Sequence, residues 1–233
     1  MEQIKVSEMV GALSYALDLT EGQPMGHSAR VCMLGMRLAG EIGMAVGDRA
    51  ELYYTLLIKD AGCSSNASRL FHILAADELK AKANVRATDW TRVGCDNLRF
   101  ALSQGGNGKS FLSKMRTMAR FMVKRPNMQT LVKIRCERGA SVARQMGFSE
   151  RVADGIQSLD ELWDGQGHPD GLAGEAIPLY SRIALLCQTL EVFWRQVSAE
   201  RALEVVRERA GRWFDPNLVR AAESIAARGE LWN

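Results

Sequence analysis

Apolar residues recur every three or four positions along almost the whole chain, and strand-like alternation is nearly absent. That periodicity restricts the fold to packed helices. Met9, Val10, Leu13, Ala16 and Leu17 lie at helical spacing within 7–19. Val31, Leu34, Leu38 and Ile42 share one face of 28–42, and Gly43 is a natural stop. Leu52, Leu56 and Leu57 mark 49–60, with Gly62 just beyond. Further helices are predicted at 87–104, 110–124, 128–147, 150–161, 177–197, 199–210 and 216–228. Between Asp164 and Ile177 four glycines and one proline, with Pro178 next, interrupt the pattern and predict a long loop. The 233 residues carry no repeat or low-complexity tract, so a single all-α domain over 1–233 is expected.

Composition narrows the function classes. Hydrophobic residues make up 47% and charged residues 24%, the makeup of a globular protein with a sizeable core. Cysteines at 32, 63, 95, 136 and 187 are odd in number, widely spaced and lack a CxxC pair. Free thiols in a reducing cytoplasm fit better than a disulfide framework or a structural zinc site. No apolar run reaches the length of a membrane span, and the N-terminus lacks a signal-peptide pattern. A cytoplasmic protein without a membrane partner is expected.

The net charge is only +3, which does not suggest a dedicated nucleic-acid binder. Charge is nevertheless uneven. Asn97 to Cys136 holds nine basic residues and no acid, so the rest of the chain is net acidic. This basic helical insert, about 97–135, could attract a phosphate-bearing ligand or an acidic partner, or be a solvated face. Within it, Gly105-Gly106-Asn107-Gly108-Lys109-Ser110 ends like a phosphate-binding loop. Ser103 stands where such a loop needs glycine, and no strand precedes it, so it reads as a turn before a helix.

The stretch from Trp163 to Ile183 reads Trp-Asp-Gly-Gln-Gly-His-Pro-Asp-Gly-Leu-Ala-Gly-Glu-Ala-Ile-Pro-Leu-Tyr-Ser-Arg-Ile. It resembles the HD-GYP signature WDGxGYPxGLxGxxIPxxxRI, with His168 in place of the tyrosine. His27-Ser28-Ala29-Arg30-Val31 is similar to the family's first conserved helix. Leu57-Ile58-Lys59-Asp60-Ala61-Gly62 resembles LLHDIG, and Arg135 to Gly139 resembles HxxxG. The resemblance implies an HD-type helical bundle with a GYP-like loop, its signature regions at 27–63 and 135–191. It also implies a scaffold for metal-dependent hydrolysis of cyclic dinucleotides such as cyclic di-GMP.

Several ligand positions implied by the resemblance are substituted. His27 and Asp60 are kept. Lys59 replaces the histidine of the HD pair, and Cys63 replaces the lysine that follows it. Arg135, Leu159 and Gln188 stand at three further ligand positions, while Asp160 and Glu161 are acidic. A lysine ammonium repels a divalent ion, so a centre without metal is expected, with no cofactor. Residual metal candidates are His27, Asp60, Asp160 and Glu161. Structural readings place His27 against Asp60, and Lys59 against Asp60 or Asp160.

The resulting expectation is a non-hydrolytic regulatory module. It would bind a nucleotide-like ligand through Lys59, Arg135 and Arg182, or a protein partner. In the family the GYP loop is implicated in contacts with diguanylate-cyclase-type proteins, which points to 164–171 here, with Asp164, Gly165, Gly167, His168 and Pro169. The alternative is a divergent phosphodiesterase with Asp60 and Lys59 as catalytic residues and a reduced site for manganese, iron or magnesium.

Overall fold

The computed structural model describes residues 5–63 and 128–232. The helices expected at 87–104 and 110–124, the Gly105–Ser110 turn and most of the basic insert lie outside the described residues. Eight α-helices and no strand occur among the described residues. They are α1 (Val6–Thr20), α2 (His27–Glu41), α3 (Val46–Ile58), α4 (Met128–Gln145), α5 (Glu150–Gln157), α6 (Leu179–Gln196), α7 (Ala199–Glu208) and α8 (Pro216–Ala227). Each corresponds to a predicted helix, with ends shifted by a few residues. No described helix is long and apolar enough to cross a membrane.

Local chemistry sets the helix starts. Ser149 and Ser198 accept hydrogen bonds from the backbone N–H groups of Val152 and Arg201, capping α5 and α7. Asp215 caps α8, where Pro216 occupies the first helical position and has no N–H to satisfy. The α2 start is different. Its cap residue, Gly26, has no side chain to offer. Buried Asp18 of α1 instead accepts from the Ser28 N–H at 3.0 Å and from the Ser28 hydroxyl at 2.7 Å. A tertiary contact therefore caps the helix turn that carries His27.

Helix α6 is the central element and packs against α2, α3, α5, α7 and α8. Leu34 and Leu38 of α2, Leu52 and Leu56 of α3, and Ile183 and Leu186 of α6 are almost completely shielded from solvent. Burying such side chains contributes about 1.5–3 kcal/mol each against an exposed reference.

Two glycines fix how α3 meets α4. A Cβ on Gly62 would lie 2.0 Å from the Arg135 carbonyl oxygen and 2.6 Å from the Gly139 nitrogen. A Cβ on Gly139 would lie 2.8 Å from Ile156 Cγ2. The turn after α3 thus rests directly on the α4 backbone, with α5 behind it. We expect Gly62→Ala to destabilise the protein by about 1–3 kcal/mol through overpacking. Gly47→Ala, on an exposed face of α3 with open space around it, should be neutral or stabilising by up to about 1 kcal/mol. Chemical denaturation midpoints of the two variants check the contrast.

Candidate functional site

The N-terminal turn of α2, the end of α3 and the middle of α6 converge on one buried group of charged side chains. His27 has no solvent exposure, and Lys59, Asp60 and Glu191 are each 3% exposed or less. His27 Nδ1 lies 2.6 Å from Glu191 Oε2, and Arg30 Nε donates to the other Glu191 oxygen at 2.6 Å. Burial alone raises the Glu191 carboxyl, but the partners His27 and Arg30 together hold it below its ordinary value. On its other side, His27 Nε2 lies 3.5 Å from Lys59 Nζ, and Lys59 forms an ion pair with Asp60. Buried charges need such partners, because an unpaired one carries a large desolvation cost.

This arrangement upholds the Lys59–Asp60 pairing. His27 meets Glu191, a contact the sequence reading did not anticipate. The spacing of the two residues on separate helices, 164 positions apart, left no local signal for the Glu191 contact.

Three donors gather on the Asp60 side of this group. Glu21, at the end of α1, Asp60 and Cys63 are all buried, and each offers a ligand atom within 4.8 Å of the others. Cys63 Sγ is 3.6 Å from Asp60 Oδ1. Two carboxylates and a thiol suit one first-row transition ion better than magnesium, which prefers oxygen alone. The residues present therefore fit a single divalent ion, and the expectation of a centre without any metal is not supported. Glu21 was missed in the sequence because it belongs to none of the signature segments.

The remaining candidates fall into different roles. Arg135 of α4 forms an ion pair with Asp160, both side chains being roughly a quarter exposed. Its Nη1 is also 3.9 Å from Cys63 Sγ, which sets this guanidinium beside the three donors. Cys136 Sγ lies 3.5 Å from Asp160 Oδ2. Leu159 is part of the apolar core, and Gln188 is buried on α6. Burial pushes the thiol of Cys32 up to about 12 and raises those of Cys136 and Cys187. These three are poor nucleophiles.

Glu161 serves the glycine-rich loop. Its carboxylate accepts hydrogen bonds from the backbone N–H groups of Asp170 at 2.6 Å, Gly171 at 3.1 Å and Leu172 at 3.0 Å. A Cβ on Gly167 would lie 2.1 Å from the Leu162 nitrogen, so only glycine allows the loop to fold back this closely. His168 donates its N–H to the Asp160 carbonyl, and Pro169 follows through a cis peptide bond. Asp164 accepts from the Gln166 N–H, and Gly165 has a φ of 80°, within the left-handed region. Arg182 lies over Trp163 and pairs with Asp215 at 2.8 Å, tying α6 to the α8 cap.

Asp164, Gln166, Asp170 and Gly171 stay exposed at the loop surface. Glu161→Gln, which removes the charge that gathers three N–H donors, should cost about 1–3 kcal/mol. It should also open a protease-sensitive bond within 164–176. Thermal melting and limited proteolysis with mass mapping would detect both effects.

The model of the HD domain family matches residues 85–218. A Vibrio cholerae protein named 3'3'-cGAMP-specific phosphodiesterase 3 is 43% identical over 94% of this chain. A Xanthomonas campestris cyclic di-GMP phosphodiesterase response regulator is 37% identical over 26% of it. A crystal structure of a cyclic GMP-AMP-specific phosphodiesterase from Vibrio cholerae superimposes with a TM-score of 0.70 and 37% identity, covering 97% of this chain. The chain spans about half the length of the first relative and of that solved chain, 48% and 50% respectively. Similarity to a named phosphodiesterase over nearly the whole chain overturns the expectation of a non-hydrolytic regulatory module. That expectation rested on the substituted ligand positions, the retained scaffold and the basic segment, and it left Glu21 out. With its all-helical core, its Gly62 and Gly139 contact and its glycine-rich loop, the chain belongs to the HD domain family, in its HD-GYP-like branch.

Proposed function

We propose that this chain is a metal-dependent phosphodiesterase domain that hydrolyses a cyclic dinucleotide. The observation that carries the reading is the buried donor group of Glu21, Asp60 and Cys63 at the end of α3. The similarity to a protein named for 3'3'-cGAMP hydrolysis supports the same chemistry and substrate class.

Glu21, Asp60 and Cys63 would hold one divalent ion. Bound there, such an ion supplies Lewis-acid polarisation of a phosphoryl oxygen and acidifies water to a usable nucleophile. Hydrolysis adds the water oxygen to phosphorus and breaks the ester bond to one ribose oxygen, which takes up a proton. Arg135 would clamp the phosphodiester, a role its partly exposed guanidinium beside Cys63 supports. An incoming phosphate would compete with Asp160 for that guanidinium, and a planar fork suits either anion. Lys59 pairs with Asp60 and acts on the site through it. The exposed edge of the 164–171 loop is retained as a protein-contact surface outside the donor group.

Purified protein supplied with manganese or iron(II) should cleave 3'3'-cGAMP or cyclic di-GMP. Chelator should stop turnover, and Asp60→Asn should lower kcat by about 10²-fold or more, in line with the loss of a metal ligand's support. Arg135→Ala should chiefly raise KM. Chromatographic product analysis reads each outcome. Absence of cleavage of both dinucleotides with every divalent ion tested would refute the proposal.

A further inference from the structure

Metal-binding histidines in proteins usually donate one ring N–H to a carboxylate and turn the other nitrogen to the ion. His27 is held in that way. Glu191 lies against Nδ1, and Arg30 fixes Glu191 in turn. The group that Nε2 faces is the Lys59 ammonium, 3.5 Å away. Lys59 reaches this point from the end of α3, its side chain wholly buried, and pairs there with Asp60 Oδ2. The other Asp60 oxygen faces Cys63. One carboxylate therefore joins two cation positions, the ammonium on one side and the Glu21–Asp60–Cys63 donor group on the other.

We infer that the Lys59 ammonium permanently occupies the place of one metal ion, so that the centre combines a single exchangeable ion with a built-in cation. The exchangeable ion rests on the phosphodiesterase reading; the role of Lys59 does not. An ammonium satisfies the His27 lone pair and the Asp60 charge without recruiting an ion from solution. Its covalent attachment makes it independent of metal supply. His27 is accordingly a positioning residue for the ammonium, and the exchangeable ion does not need it.

Metal stoichiometry tests this directly. The full chain is stripped with chelator, reconstituted with cobalt(II), freed of unbound ion and measured by elemental analysis. Wild type should hold one ion per chain, with a thiolate-to-cobalt absorption band that Cys63→Ser removes. Lys59→Arg, which keeps a cation, should also hold one. Lys59→His should hold two, and the double variant Lys59→His with His27→Ala should return to one.

His27→Ala alone, in a background that keeps the lysine, should retain the ion and the absorption band. This variant keeps the test decisive if Lys59→His fails to fold. Two ions in wild type, no gain in folded Lys59→His, or loss of the ion and band in His27→Ala would each overturn the inference. No ion in wild type but one in Lys59→His would uphold the role of Lys59 and reject the Glu21–Asp60–Cys63 ion site instead.

Discussion

The line of charge from partly exposed Arg30 through buried Glu191, His27 and Lys59 to Asp60 is the constraint on which the centre of this protein depends. None of these groups can be left alone away from water without a large penalty. Their mutual pairing therefore dictates how α2, α3 and α6 must approach. It also explains why the α2 start is capped from another helix, since Asp18 fixes the turn from which His27 projects. Packing of Leu34, Leu56 and Ile183 holds the three helices together, while the charges specify their register.

A second constraint acts through backbone rather than charge. Gly62 and Gly139 remove two side chains from the contact between the α3 turn and α4, which sets Cys63 beside Arg135. Gly167 does the same for the loop after α5, where Glu161 gathers three N–H donors that would otherwise lack a structured partner. The glycines of the two short motifs and of the loop signature are thus steric requirements.

Much of the fold was legible in the sequence because helical periodicity is a local property. The eight described helices fall where the apolar spacing puts them, to within a few residues. The Lys59–Asp60 pairing was legible as one of two options, Asp160 being the other, since the two residues are adjacent and opposite in charge. The site as a whole was less so. Glu21 lies outside the signature segments, and Glu191 is far from His27 along the chain. Glu161 was weighed as a metal candidate, whereas its oxygens are committed to loop N–H groups. Counting substituted ligands led to an expectation of no metal and no turnover. A donor contributed by α1 could not enter that count.

The sequence by itself determined the all-helical class, the helix positions to within a few residues and the family signature. Those are properties of residue spacing and backbone sterics, which act over a few positions. Only the tertiary structure decided which carboxylate meets His27, that Lys59 lies between His27 and Asp60, and that Glu21 joins Asp60 and Cys63. Such pairings are settled by the shared cost of burying charge, and that cost is felt only when distant helices have closed around the same small volume.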